Sequence, residues 1–227
     1  MNFSHDFQQD LATILAELGS CRPFAFNRFA DGELAILEER DIPTADGWSA
    51  VNVSDKFRER LKAALTYRDK DYYVGIGCPC CNKDEWLRLM SLAGREPDDP
   101  QVTFSNVFVN ENYEAARAAM LKAFPIFTPR CNLVNGDDSA VDEIVSSMSR
   151  TQDTVPMLLA AGPAGKIIIH EVWKRGLRRT IVDVGSLFDL DMTGCASRSY
   201  HDPNHPNRQK ICQWSPKTID NTLPSSI

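Results

Sequence analysis

The sequence has no excess of positive charge. Its 25 Lys and Arg face 31 Asp and Glu, a formal net charge of −6. A general nucleic-acid binder carries a basic stripe, so no nucleic-acid partner is expected. An anionic small ligand remains compatible, because a bound cation reverses the local sign. Long apolar runs are missing too. No stretch approaches the roughly 20 apolar residues of a transmembrane helix. The start, Met1 to Asp10, lacks the basic flank and apolar core of a signal peptide. The expectation is a cytoplasmic protein without a membrane span. An even cysteine framework is missing as well: the 7 cysteines are odd in number, so reduced thiols are expected rather than a disulfide framework. There is no repeat, no low-complexity run and no Gly-x-Ser-x-Gly elbow for a serine hydrolase.

What is present suits one folded domain. The chain is 43% hydrophobic and 25% charged, ordinary values for a globular protein. Apolar spacing predicts helices over 5–19, 32–40, 55–68, 83–93, 111–123, 138–149 and from Lys166 towards Gly176. Between them lie strand candidates at 24–29, 51–53, 72–77, 102–109, 132–135, 155–161 and 180–184. Pro156 belongs at a strand's start or on an edge strand. Strands alternating with helices predict an α/β fold, Rossmann-like, with a largely parallel sheet and helices on both faces. The domain is expected over 1–200. Residues 201–227, with Pro203, Pro206, Pro216 and Pro224, read as an irregular tail.

The chemistry centres on Phe24 to Leu37. Asp31-Gly32-Glu33 sits where a strand turns into a helix, with Arg28 just upstream. Chance alone supplies about one Asp-x-Glu pair in a chain of this composition, and acids at a helix start also complement its dipole. The setting adds weight, since ligands of open α/β sheets gather at the carboxyl ends of strands. Carboxylate oxygens suit Mg²⁺ or Mn²⁺, which bind one or two carboxylates plus substrate phosphates. Gly162-Pro163-Ala164-Gly165-Lys166 opens another helix after another strand. It is not a Walker loop, because the glycines are three apart and Ile167 stands where Ser or Thr is needed. Free N–H groups at a helix start nonetheless favour phosphate. Cys78-Pro79-Cys80-Cys81 has the spacing of a thioredoxin-like redox pair, Cys78 with Cys81, at a helix N-terminus. No second pair completes a zinc site. His170, inside a helix, reads as a packed or surface histidine rather than a base. Arg198 and His201, beside Ser197 and Ser199, are candidates for gripping phosphate or sugar.

Asn27-Arg28-Phe29-Ala30-Asp31-Gly32-Glu33-Leu34 resembles the Arg-Phe-Gly-Asp-Gly-Glu signature of the GT-D-fold glycosyltransferases. Leu159 to Gly165 resembles that family's Gly-Pro loop. Arg175-Gly176 followed by Ile181-Val182-Asp183-Val184-Gly185 is similar to its closing Gly…Asp-x-Gly segment. The order and separation agree over residues 24–190. One departure is Ala30 in place of a glycine, which removes backbone freedom.

The resemblance implies a metal-dependent enzyme that moves a sugar from a nucleotide sugar, typically a UDP-sugar, to a hydroxyl acceptor. That acceptor would be a glycan, a glycoprotein or a lipid-linked molecule. Asp31 and Glu33 then take the metal and catalytic roles. Arg28 and the Gly-Pro loop, Gly162, Pro163, Ala164, Gly165 and Lys166, are then the donor contacts. Asn106, Asp183, Arg198 and His201 are added as expected donor contacts from the residues themselves; the tail from about Cys195 and the Cys-rich loop have no counterpart in the family. The stereochemistry, the general base and the oligomeric state stay open, a homo-oligomer included. Two rival classes are a thiol redox protein and a nucleotide-binding module without turnover.

Overall fold

The computed structural model describes residues 1–20, 22–40, 53–79, 82–123, 138–150, 155–202 and 204. Five parallel strands form one sheet. They are β1 (Ala25–Phe29), β2 (Tyr72–Ile76), β3 (Val102–Phe104), β4 (Met157–Leu159) and β5 (Ile181–Asp183), in the order β3-β2-β1-β5-β4. The helices are α1 (Phe7–Gly19), α2 (Asp31–Leu37), α3 (Asp55–Thr66), α4 (Lys83–Ala93), α5 (Tyr113–Ala123), α6 (Asp138–Arg150), α7 (Gly162–Lys174) and α8 (Asp189–Thr193).

The strands read as near-continuous apolar runs because both faces are covered. Their period of two divides the core. Ala25, Phe29, Tyr72, Val74, Ile76, Val102 and Ile181 pack with residues of α2, α3, α4, α6 and α7. Phe24, Phe26, Tyr73 and Val182 pack with α1, α5 and the chain after β5. The expected α/β class with helices on both faces is what the chain forms.

Local signals explain the element ends. Asp6 caps α1 by accepting from Gln9 N at 3.0 Å, and Ser54 caps α3 by accepting from Phe57 N at 3.1 Å. Gly94, at φ +60°, closes α4. Pro156 directly precedes β4, which is an edge strand, as its missing N–H requires.

One expectation fails in part. The apolar run 102–109 is strand only to Phe104, then turns through a 3₁₀ segment, Ser105–Phe108. Arg28 Nε takes the Ser105 carbonyl at 2.6 Å and Asn112 Nδ2 takes that of Asn106 at 2.9 Å. These side chains satisfy buried carbonyls that a sheet ladder would otherwise serve. Val53 is not in a strand. The candidate strand 132–135 and the tail beyond Asn204 lie outside the described residues. Among the described residues no helix is long and apolar enough to cross a membrane.

The topology makes a switch point between β1 and β5. After β1 the chain enters α2 on one face of the sheet. After β5 it supplies Val184, Leu187 and Phe188 to the core on the other face. Adjacent parallel strands whose chains leave to opposite faces part at their carboxyl ends, and such a switch point is the general ligand site of open α/β sheets.

Candidate functional site

Four charged side chains meet at that switch point, each at most 8% exposed: Arg28, Glu33, Lys166 and Asp183. Asp183, the last residue of β5, is the hub. Its Oδ2 accepts from Lys166 Nζ at 2.7 Å and from the Arg28 backbone N–H at 3.3 Å. Its Oδ1 accepts from Gly185 N at 3.0 Å. Lys166 Nζ also lies 3.3 Å from Glu33 Oε1. Glu33 Oε2 accepts from Ala30 N at 2.9 Å and so closes the first turn of α2. Two cations and two carboxylates cancel, which is how buried charge is tolerated. Burial disfavours the Lys166 ammonium, but Asp183 and Glu33 outweigh it and hold its pKa above the ordinary lysine value. The two carboxylates around Nζ therefore favour the ammonium form of Lys166.

Arg28 is shaped by two glycines. Gly75 faces it across β1 and β2, and a Cβ there would lie 3.3 Å from Arg28 Cγ and 3.2 Å from Ser105 Cα. Gly185 has φ +56°, and a Cβ there would lie 2.5 Å from Arg28 Nη1. Nη1 is buried without a hydrogen-bond acceptor. A guanidinium N–H left unmatched in a dry site is costly, and an anionic ligand oxygen would relieve it. The guanidinium also lies 5.9 Å from the centre of the Phe108 ring.

Asp31 and Glu33 do not converge. Asp31 is exposed at the start of α2, whereas Glu33 is buried with both oxygens engaged. The other acid near Asp31 is Glu85 on α4. Burial first, and the charge of Asp31 second, raise the Glu85 pKa above its ordinary value. A divalent ion at Asp31 would have one protein carboxylate and would draw its remaining ligands from water and substrate phosphate. Glu33 does not fit as a direct ligand in this arrangement. Among the described residues no group of three or more His, Cys, Asp or Glu is placed to hold a metal.

Ala30 needs no glycine's freedom. At φ −139° and ψ −161° it is extended, so the departure from the Gly of the signature costs the backbone nothing.

The other expected contacts fall around this core. Gly162, at φ +52°, and Pro163 start α7 without a side-chain cap, and Pro163 lacks an N–H. Pro163, Ala164 and Gly165 are buried, and Gly165 N already donates to Ala161 O at 3.2 Å. Asn106 is buried in the 3₁₀ turn beside Arg28, its Oδ1 accepting from Ser105 Oγ at 3.3 Å. His201 is a brace. Its Nδ1 accepts from Ser197 N at 3.2 Å, so Nε2 carries the proton and donates to Ser186 O at 3.0 Å. The neighbouring Tyr200 bonds the Ser186 hydroxyl. Burial raises the Tyr200 pKa, and the hydrogen bond with Ser186 is the main opposing effect. Arg198 leads into the same turn.

Cys78 is buried and disulfide-bonded, not a reduced thiol as the sequence suggests. Cys80 and Cys81 lie outside the described residues. His170 is packed in α7, 5.1 Å from the Tyr67 ring centre.

No protein-family model and no curated protein sequence matches the chain. Two solved structures share its fold. One is a selenomethionine-substituted structure of domain of unknown function 1792, with a TM-score of 0.55, 15% identity and coverage of 83% of this chain and 82% of the other. The second, at TM-score 0.56 and 15% identity, covers 96% of this chain and 90% of the other. It is described as showing that this highly conserved domain has a distinct glycosyltransferase fold. At 15% identity the likeness is one of α/β fold alone.

Proposed function

We propose that the chain is a glycosyltransferase working at the switch point between β1 and β5. It would move a sugar from a nucleotide sugar, a UDP-sugar by expectation, to a hydroxyl of a glycan, glycoprotein or lipid-linked acceptor. The observation that carries this reading is Arg28. It is a buried guanidinium with Nη1 unmatched, set by Gly75 and Gly185 at the switch point of a fold shared with a glycosyltransferase-type domain.

Transfer leaves a nucleoside diphosphate, so charge grows on the leaving phosphate as the glycosidic bond breaks. Donors already aimed at that position stabilise the transition state more than the ground state. Arg28 supplies such a charge, and the start of α7 supplies backbone N–H groups and the positive end of its dipole. Asp183 keeps the Arg28 backbone and Lys166 in place, and Gly185 keeps room for the guanidinium. Mg²⁺ or Mn²⁺ held by Asp31 and the donor phosphates would add Lewis-acid stabilisation of the same leaving group.

The test is a screen of nucleotide sugars for metal-dependent hydrolysis or transfer. It compares wild type, Arg28→Met, which keeps the apolar stem, and Asp31→Ala, each with and without EDTA. The expected result is a fall of about 10²–10³-fold for Arg28→Met and a loss of metal stimulation for Asp31→Ala. Turnover indifferent to Arg28→Met would sink the reading. Donor binding with no turnover would leave a nucleotide-binding module.

A further inference from the structure

We infer that Lys166 is a built-in cation that occupies the seat between Glu33 and Asp183, so that only Asp31 of the Asp-x-Glu pair is offered to a divalent metal. The inference rests on the proposed metal site at Asp31 and says which half of the pair serves it.

Glu33 Oε1 and Asp183 Oδ2 lie 3.3 and 2.7 Å from one nitrogen, Lys166 Nζ. Two carboxylates gathered around a common centre are the usual protein contribution to a Mg²⁺ or Mn²⁺ site. Here the centre is an ammonium, carried on the first turns of α7 and 5% exposed. Metal–oxygen contacts of about 2.1 Å are shorter than either lysine contact, so a divalent ion cannot share the space; one cation must leave for the other to enter. The Arg28 backbone N–H also donates to the same Asp183 Oδ2 at 3.3 Å, a bond the carboxylate would have to give up to ligate an incoming dication. Glu33 is also tied to Ala30 N at 2.9 Å, and turning it outward would uncap α2. The spacing of Asp31 and Glu33 therefore divides the labour. Asp31 faces solvent and substrate, and Glu33 holds the lysine and the helix start. Lys166 acts as a positioning residue through Glu33 and Asp183.

The experiment titrates the purified full chain with Mn²⁺ alone, reading free Mn²⁺ by electron paramagnetic resonance, without donor. Because no turnover is read, the result stands whether or not the chain transfers sugar. In wild type, Glu33→Gln should leave Mn²⁺ affinity within twofold of the parent. Removing the ammonium by Lys166→Met should vacate the seat and tighten Mn²⁺ binding at least tenfold, and Glu33→Gln on that background should abolish the gain. Lys166→Gln, which keeps an N–H donor for Asp183, is the second variant if Lys166→Met does not fold, and it carries the same expectation. A tenfold or greater weakening by Glu33→Gln in wild type would overturn the inference, and so would a folded Lys166 variant with no gain in Mn²⁺ affinity.

Discussion

Two charged networks anchor α7, and they are built on different terms. The inner one, Arg28–Asp183–Lys166–Glu33, lies at the carboxyl ends of β1 and β5 with every member buried. The outer one joins Arg60 of α3 to Asp138 at 2.7 Å and Asp142 at 2.8 Å on α6, and to Glu171 of α7 at 3.7 Å. The side chain of Asp142 is 50% exposed, so water and salt screen much of the outer attraction. The outer network has an excess of acid facing solvent and clasps three helices. The inner network balances its charges, leaves one guanidinium nitrogen unmatched and sits at the switch point. A clasp tolerates loss of a member; a buried balanced set does not, because every removal strands a charge.

The largest expected effect tests that difference. Asp183→Ala strands Lys166 and the Arg28 backbone N–H, and should cost about 3–5 kcal/mol of unfolding free energy. Arg60→Met should cost about 1 kcal/mol and leave any transfer activity within twofold. Urea denaturation of both variants at one ionic strength measures the gap. Equal costs would erase the distinction between frame and clasp.

A sharper contrast uses two glycines of similar backbone. Gly185 and Gly194 both have positive φ, +56° and +70°. A Cβ on Gly194 meets nothing within 4 Å, whereas one on Gly185 meets Arg28 Nη1 at 2.5 Å. Gly194→Ala should therefore cost only the conformational strain of about 1 kcal/mol. Gly185→Ala adds displacement of the guanidinium, so its signature should be loss of donor turnover resembling that of Arg28→Met. If the two alanine variants behave alike, Gly185 is a turn glycine and nothing more.

Arg28, Glu33, Lys166 and Asp183, which meet at the switch point, are legible in the sequence as residues at strand ends and helix starts, because strand-to-helix turns mark the ligand end of a parallel sheet. Their roles were less legible. Asp-x-Glu spacing says that two acids are close, not which way each points, and the partner that turns Glu33 inward is a lysine more than a hundred residues later. Gly75 was equally hidden: its meaning is the register that sets it opposite Arg28. The strand expected over 102–109 misread a buried 3₁₀ turn, whose composition is that of a buried strand. Asp183 was expected to contact ligand, yet both its oxygens hold protein groups, which only tertiary pairing reveals.

The smallest expected effect concerns pH and two buried histidines, His170 next to Glu171 of the outer network and His201 against the Ser186 carbonyl. Burial lowers the His170 pKa; Glu171 opposes this, while Lys174 and Arg60 reinforce it. Burial also lowers the His201 pKa; the Ser186 carbonyl, Asp189 and Asp191 oppose this, and Arg198 reinforces it. In both cases the folded state favours neutral imidazole. The unfolded chain, titrating near 6.5, then binds more protons than the folded one as pH falls through that value, so stability falls too. The stabilisation is complete above the unfolded pKa and is lost as pH drops through the lowered folded values. His170→Gln should flatten the dependence beside the outer clasp without touching donor turnover. Protonating His201 Nδ1 would instead set two donors, its own N–H and that of Ser197, against each other. His201→Gln should accordingly flatten the dependence and loosen the wall carrying Tyr200, raising the KM for donor. Unfolding free energies measured by urea from pH 7.5 to 5.5 read the first effect and donor kinetics the second. A slope of opposite sign in wild type would contradict the neutral assignment of both imidazoles.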